Sequence, residues 1–380
     1  MTQYDLTEEQ KMLQEMVRRL AEEKIKPHVE KIDREGIFPE EIFDLFVKQG
    51  IISLPYPEEY GGGSGTILDA CIVAEQLAMV DGNSAMIAAS HELGATPILI
   101  AGNEQQKQKY ISMVANSESY ICFGLTEPDA GSDAAGIKTK AVDMGDYYLV
   151  NGTKRFITFA ERSGLMTLFA TTDATKGLKG ITAFILEMDW EGVSIGKHED
   201  KMGFRGNMSS EVIFEDVKIP KENLLGKEGE GFKIAMKTLD KTRPIVGAIG
   251  VGMAQGALDY AIEYSKQRVQ FGKPIAHFQG LQFMMADMAM KIEAARQLVY
   301  KGACLSDAGD PRAGAVGAMA KCFGTDVCMS VCVDAIQILG GSGYMKEYPL
   351  EKKMRDAKLL QIVEGTNQIQ RVVIASHLLA

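Results

Sequence analysis

The sequence predicts a mixed but mainly α-helical fold in three consecutive segments: helical, then β, then helical again. Three observations predict it. Apolar residues recur at helical spacing up to about residue 117. Runs rich in β-branched and aromatic residues replace them between 118 and 226. Long helical patterns return from Glu230 onward. The expected segments are an all-α domain at 1–117, a β domain at 118–226 and a helical bundle at 227–380. A chain of 380 residues has room for this division, since domains usually take ~100–200 residues each.

In the first segment, Thr7-Glu8-Glu9-Gln10 fits a capping box. There the Thr hydroxyl and the Gln side chain satisfy N–H groups that a helix start leaves unpaired. Leu6, Met12, Leu13, Met16, Val17 and Leu20 follow at helical spacing. Pro57 to Gly63 reads as a loop. Ile67 to Met79 and Ala85 to Ala101 are apolar all round, as expected for helices inside a bundle. In the second segment, Tyr147 to Val150 leads into Asn151-Gly152, which predicts a hairpin turn. Further strands are predicted at 167–172, 181–186 and 212–214, and the β domain is expected to close near Pro220 to Gly226. In the third segment, helices are predicted at roughly 230–266, 279–308, 311–339 and 367–379. Their lengths suit a bundle of about four antiparallel helices.

Composition excludes several function classes. Lys plus Arg number 41 against 51 Asp plus Glu, for a net charge of −10. General binding to nucleic acid or an anionic membrane needs a basic surface, so neither is expected. A local basic pocket for a phosphorylated ligand is compatible with this balance. The acidic N-terminus lacks the basic-then-apolar layout of a signal peptide. The longest uncharged run, Pro244 to Leu258, has 15 residues, short of the ~20 apolar residues of a membrane helix. The six cysteines form no CxxC, and Cys328 with Cys332 reads as two small buried residues on one helix face. The five histidines are scattered and no metal-ligand spacing occurs, so no metal is expected. These features predict a reduced, cytoplasmic enzyme.

Several glycine-rich stretches are candidate ligand sites. Gly250 to Gly256 nearly matches GxGxxG, with the last spacing one residue too long. It lies within a helical pattern instead of after a strand, so close helix packing is the better reading. No GxxxxGK[ST] occurs, and the segregated α and β segments do not suit a Rossmann fold. Gly124 to Asp133 (GLTEPDAGSD) offers hydroxyls and turn N–H groups suited to a phosphate or a flavin edge. By composition alone it reads equally as a loop joining two domains. Gln337 to Tyr344, then Arg355-Asp356 and Ile362 to Gln368, form a second such region. Glu364 there reads either as a helix-capping carboxylate or as a functional acid.

Together these stretches carry a family resemblance. GLTEPDAGSDAAG (124–136), Gln337 to Asp356, Pro57 to Gly62, Asp240 to Pro244, Arg268 to Pro274 and Glu364 to Gln370 occur in order along the chain. They resemble motifs of the acyl-CoA dehydrogenase family over essentially the whole length. The resemblance implies an N-terminal helical domain, a central β-barrel or sandwich and a C-terminal four-helix bundle. It also implies a homotetramer built as a dimer of dimers, an FAD cofactor and an acyl-CoA substrate. Phe123, Leu125 and Thr126 would run along the flavin, with Ser132 near the FAD pyrophosphate or the CoA arm. Phe156 and Thr158 match a further flavin element, with Thr158 near the reactive edge. Arg268, Gln270, Phe271, Gln337, Gly340 and Gly341 would reach the FAD of a neighbouring subunit. Thr366 and Gln368 would touch its diphosphate and adenosine region, and Asp240 and Arg243 the CoA arm.

The implied reaction is α,β-desaturation, in which a base takes the α-proton while the β-hydrogen leaves as hydride. Glu364 matches the family's usual base, beside Val363 and Gly365 at the substrate. A free Glu titrates near ~4.3, and burial moves it toward an effective base. Leu360, Ile362 and Val363 are expected to bury it. Some relatives carry the base immediately before the arginine of the Asp240 to Pro244 motif; here that residue is Thr242, which cannot serve.

The chain is shorter than the family's oxidases, so a dehydrogenase passing electrons to an electron-transferring flavoprotein is expected. Between Asp81 and Ile100 there is neither Arg nor Lys, which disfavours a dicarboxylyl substrate. Val363 replaces a common Tyr and widens the pocket. His91 falls on the helix expected to floor that pocket. It reads as a pocket residue, a second acid–base group or a hydrogen-bonded structural histidine. A branched or alicyclic acyl group, such as cyclohexanecarboxyl, therefore stands beside a short or medium straight chain. KMGFRGNMSSE (201–211) departs from the family's more usual form and affects expected CoA contacts. Two other readings are a flavin oxidase or monooxygenase on the same scaffold, and a non-catalytic assembly protein. The intact Glu364 and flavin motifs argue against both.

Overall fold

The Thr7 capping box forms: Gln10 N–H donates to Thr7 Oγ1 at 3.2 Å and Thr7 N–H to Gln10 Oε1 at 3.1 Å. The structure, a computed structural model, describes residues 6–379. The first helices are α1 (Glu8–Leu20), α2 (Val29–Glu35), α3 (Glu40–Lys48), α4 (Ile67–Val80), α5 (Gly82–Ala101), α6 (Glu104–Gln106) and α7 (Ser112–Ala115). The segment predicted as a loop at 57–63 contains one 3₁₀ turn, Glu58–Tyr60. Asp81 ends α4 and caps α5, accepting the Ser84 N–H at 3.0 Å.

The strands are β1 (Tyr120–Gly124), β2 (Lys140–Asp143), β3 (Tyr147–Thr158), β4 (Ser163–Thr171), β5 (Ile181–Glu187), β6 (Val193–His198), β7 (Ser209–Pro220) and β8 (Leu224–Leu225). They run in the order β6-β7-β3-β2-β4-β5-β8, with β1 parallel to β4. β2 and β4 meet only at Lys140 and Thr171. The sheet therefore divides there into two layers that share a core, with Tyr148, Val150, Val212 and Phe214 facing Met166, Leu168 and Phe184. Alternate residues of β4, Leu165 and Phe169, point the other way and pack with Ala95 and Ile98 of α5.

The turn predicted at Asn151-Gly152 is corrected: both residues lie inside β3. The register against β7 slips between Val150 and Gly152, a β-bulge. Asn151 is paired across the sheet, its Nδ2 donating to Asp216 Oδ1 and its Oδ1 accepting the Asp216 N–H, both at 2.9 Å. A Cβ at Gly152 would stand 2.7 Å from Thr139 Cα. The glycine thus serves close approach within a sheet, where cross-strand pairing overrides the dipeptide's turn preference.

The last segment comprises α8 (Gly231–Gln267), the hairpin β9 (Val269–Gln270) and β10 (Lys273–Pro274), then α9 (Gln279–Asp307), α10 (Ala313–Leu339), α11 (Leu350–Leu360) and α12 (Asn367–Leu379). The sequence reading missed α11. Its charged residues look like surface, yet Lys352, Lys353 and Asp356 are buried. Lys352 Nζ pairs with Asp81 at 2.8 Å and Asp356 at 2.7 Å. Lys353 Nζ donates to the Met79 carbonyl at 2.9 Å, near the end of α4.

The glycines at 250–256 pack helices together. A Cβ at Gly250 would lie 2.9 Å from the Gly324 carbonyl oxygen of α10. At Gly252 and Gly256 it would lie 2.1 and 2.0 Å from carbonyls of Glu75 and Met79 on α4. One correction concerns membrane helices: α8 and the stretch Ala313–Tyr344 are long and apolar enough to cross one. Counting only uninterrupted uncharged residues hid this. Their most apolar windows are 72% and 56% buried within the protein.

Candidate active site

The chain leaves α11 at Leu360, turns, and enters α12 at Asn367. Glu364 lies in that turn with φ +52°, followed by Gly365 at φ +87°. The left-handed conformation costs a side-chain-bearing residue roughly 1–2 kcal/mol, so neighbouring groups must hold it. Gln370 Nε2 donates to the carbonyls of Glu364 and Gly365, both at 2.9 Å. Lys321 Nζ, from α10, donates to the Gly365 carbonyl and to Asn367 Oδ1, both at 2.9 Å. Asn367 Nδ2 in turn donates to Thr325 Oγ1 at 2.9 Å and Asp326 Oδ1 at 2.7 Å.

The Glu364 carboxyl is held from α8, where Thr242 Oγ1 donates to Oε2 at 2.8 Å. Surrounding protein desolvates this carboxyl and pushes its pKa upward, while the Thr242 hydrogen bond, Lys321 and Arg243 pull it back. The residue as a whole remains partly accessible, so the group is dry but reachable. The expected burial by neighbours is only partly realised. Leu360 is fully buried, Val363 partly, and Ile362 is 49% exposed. The desolvation comes from packing across helices, and local sequence hydrophobicity misstated its source. Burial also lowers Lys321 to about 8.

Arg243 is buried and pairs with Asp240 on the same helix. Its Nε is buried without a hydrogen-bond partner, a donor suited to an anionic or carbonyl ligand. Asp240 is partly exposed.

The first glycine-rich motif follows β1. Phe123 packs on Phe169 with centroids 5.0 Å apart. The Leu125 carbonyl accepts Lys154 Nζ at 3.0 Å, and the Thr126 carbonyl accepts the Arg155 N–H at 2.8 Å. Glu127 braces the loop through Lys154 Nζ at 2.7 Å and the Thr139 N–H at 3.0 Å. These bonds bring Phe123, Leu125 and Thr126 alongside the strand that carries Phe156 and Thr158. Phe156 is 55% exposed, with φ +57°, at a register slip of β3. Arg155 stacks 4.7 Å over its ring. Thr158 pairs opposite Ser209, and Ser132 is exposed.

Of the remaining predicted residues, Thr366 and Gln368 closely follow Glu364 along the chain, and the others lie on exposed surfaces of the last segment. Arg268, Gln270 and Phe271 sit on the exposed β9–β10 hairpin, with Phe271 93% exposed at its turn. Gln337, Gly340 and Gly341 are exposed where α10 ends. Thr366 opens α12, its Oγ1 accepting the Ile369 N–H at 3.2 Å, and Gln368 is exposed.

These surfaces carry features suited to FAD. A Cβ placed at Gly131, Gly340 or Gly341 would meet no atom within 4 Å. This leaves open backbone for phosphates, and Phe156 offers an exposed aromatic ring.

Of the three readings of His91, the hydrogen-bonded structural one matches its surroundings. It is buried, its Nδ1 is hydrogen-bonded with the Tyr56 hydroxyl at 2.8 Å, and its ring meets Tyr120 edge-on at 4.6 Å. Burial lowers its pKa to about 3, so it stays neutral and a second acid–base role is removed. The next residue, Glu92, was missed. It lines a cavity with Leu54, Ala70, Val73, Ala89 and Ile245 that does not include His91. Desolvation pushes Glu92 to about 7, with Lys241 opposing and Glu364 and Asp307 adding to the rise. A larger open recess of about 420 Å³ near Phe232 and Lys179 holds none of the predicted site residues. Lys321, Asn367 and Gln370 were also missed, although EGTNQIQ contained two of them.

Comparison with known proteins agrees with the three-segment architecture. The chain matches the acyl-CoA dehydrogenase N-terminal domain over residues 7–118, the middle domain over 122–217 and the C-terminal domain over 229–379. It is 44% identical to butyryl-CoA dehydrogenase from Megasphaera elsdenii, with TM-score 0.97 and 100% of both chains covered. A chain in the structure of the electron transferring flavoprotein of Acidaminococcus fermentans is 48% identical, with TM-score 0.97 and both chains fully covered. Cyclohex-1-ene-1-carbonyl-CoA dehydrogenase of Geobacter metallireducens is 44% identical over 98% of this chain and 99% of its own length. With all three segments matched in order, the chain belongs to the FAD-dependent acyl-CoA dehydrogenase family and is an enzyme of that family.

Proposed function

We propose that the enzyme desaturates a short acyl-CoA thioester between its α and β carbons, with Glu364 as the base. The observation that carries this reading is Glu364 itself: a desolvated carboxyl with a raised pKa, pinned through its backbone by Gln370 and its side chain by Thr242. Bound FAD supplies the acceptor for the β-hydrogen as hydride. Glu364 takes the α-proton onto a carboxylate oxygen, and its N–H is the protein donor assigned to the thioester oxygen. Thr242 keeps the carboxylate oriented. Asp240, Arg243 and Ser132 are assigned to the CoA arm, and Val363 and Gly365 to the wall beside the α-carbon.

Phe123, Leu125, Thr126, Phe156 and Thr158 are assigned to the flavin of the same subunit. Arg268, Gln270, Phe271, Gln337, Gly340 and Gly341 are assigned to that of a neighbour, with Thr366 and Gln368 at its diphosphate and adenosine. Exposure of Phe271, and of Phe283, Met290 and Val372 on the outer helices, supports a homotetramer. The likeness to a chain in an electron transferring flavoprotein structure supports such a protein as acceptor. Six unpaired cysteines accord with a cytoplasmic setting.

The butyryl and cyclohexene-carbonyl relatives support straight and alicyclic groups as candidates. Anaerobic addition of butyryl-, isobutyryl-, cyclohexanecarboxyl- and glutaryl-CoA to the holoenzyme tests the reading. Bleaching of the flavin by at least one monocarboxylyl thioester, and weak response to glutaryl-CoA, is the expected result. No bleaching by any monocarboxylyl thioester overturns it.

A further inference from the structure

We propose that Asp326 is a positioning residue for the reaction: one of its carboxylate oxygens ties together the two feet of the turn that carries Glu364. The inference rests on the reading of Glu364 as the base and adds the residue that keeps that base in place.

The turn runs from Gln361, just past α11, to Asn367, the first residue of α12. Its feet meet where the Asn367 N–H donates to the Gln361 carbonyl at 3.0 Å. Asp326, on α10, closes the same junction from the side. Gln361 Nε2 and Asn367 Nδ2 both donate to Asp326 Oδ1, each at 2.7 Å. The other oxygen, Oδ2, accepts Arg371 Nη2 at 2.8 Å from the next turn of α12. Arg371 Nη1 donates to the Asn367 carbonyl at 3.0 Å. Among the described residues, the nitrogen donors to this carboxylate thus all come from residues 361–371.

The crown of the turn needs fixed feet. Glu364 and Gly365 are two successive left-handed residues. Such a conformation persists only where the surroundings over-determine it. Lys321 holds the crown through the Gly365 carbonyl at 2.9 Å, and Asp326 holds the feet. One short segment of α10 therefore fixes the turn at both levels, while Thr242 on α8 orients the carboxyl. A carboxylate oxygen suits the foot position. It has lone pairs for two converging N–H groups, and its charge strengthens both bonds. With the feet untied, Glu364 shifts relative to the α-carbon, and a misplacement of ~1 Å costs up to ~100-fold in rate.

The test is anaerobic stopped-flow bleaching of the holoenzyme by butyryl-, isobutyryl- and cyclohexanecarboxyl-CoA. The first-order constant at saturating thioester reports how well the base is placed, whereas loss of folded protein lowers only the amplitude. Asp326→Ala is expected to lower that constant by ~10-fold or more, with amplitude per bound flavin and half-saturating concentration unchanged. Asp326→Asn keeps an oxygen for the two foot donors and is expected to recover most of the rate. Gln361→Leu removes one foot bond and is expected to fall between them; it decides the matter if Asp326→Ala does not load FAD. An unchanged constant, or a change in amplitude or half-saturation alone, overturns the inference. So does an equal fall in Asp326→Asn and Asp326→Ala, which would make the charge and not the foot bonds responsible. Glu364→Gln separates the two levels. If it bleaches at the wild-type rate, or if no thioester bleaches the wild type, the base reading and this inference fall together. If it is slow while Asp326→Ala is not, this inference alone falls.

Discussion

Glu364 is held where neither its backbone nor its charge would settle unaided. Its left-handed φ is fixed by Gln370 and, through Gly365, by Lys321. Replacing its carboxyl by an amide preserves these backbone contacts. Glu364→Gln is thus expected to retain FAD and lose most turnover; near-normal kcat would remove Glu364 from the base role. The Thr242 hydrogen bond favours the ionised carboxylate and so lowers the Glu364 pKa. Removing it moves that pKa up. Such a bond is worth about 1 kcal/mol, or somewhat less than one pH unit. Because the base acts when ionised, Thr242→Val should shift the acid limb of the kcat/KM profile to higher pH by up to about that much. A profile limb that stays put or moves down would contradict the role given to Thr242.

At the scale of elements, the ion cluster of Asp81, Lys352 and Asp356 joins the start of α5 to α11. Burial raises the Asp81 pKa, but Lys352 and the Asn83 and Ser84 hydrogen bonds more than offset this and hold it at about 2. The folded value is below the unfolded value of about 3.9. Its stabilisation is therefore complete above about pH 4 and is lost as pH falls toward 2. Lys352→Met leaves two buried carboxyls without their cation and should cost about 3–5 kcal/mol in urea unfolding.

The same helix shows where sequence reading runs out. The long helices α8 to α10 were legible because apolar periodicity survives in them. α11 was not, because its buried faces carry Lys352, Lys353 and Asp356, and the two lysines find partners at residues 79–81, far away in sequence. Asn151-Gly152 misled because the signal for a turn is also the signal for a bulge. Glu364 was legible through its motif. Its supports Lys321 and Thr242 lie on other helices and needed the fold to be seen. Glu92 was overlooked beside His91, since sequence cannot say which of two adjacent helical residues faces a cavity.

At the scale of the whole molecule, Phe271 at the tip of the β9–β10 hairpin is almost fully exposed. If that hairpin reaches a neighbour's cofactor, Phe271→Ser should lower the FAD-to-protomer ratio while leaving the far-ultraviolet dichroism unchanged. Light scattering on the wild type should return about four times the 41.5 kDa of one chain. A monomer with full FAD content would exclude the cross-subunit role.

The three segments also depend on one another more than their order along the chain suggests. One continuous core joins Ile25 and Phe46 from the first helices, Tyr120 and Phe159 from the β region, and Val251 and Val331 from the last bundle. A second joins Ile98, Phe169 and Ile234 across the same divisions. Cutting at residue 118 or 226 would split both cores and bare apolar faces on every fragment. Limited proteolysis should accordingly yield no stable pieces of domain size, and heating should melt the protomer in a single cooperative step.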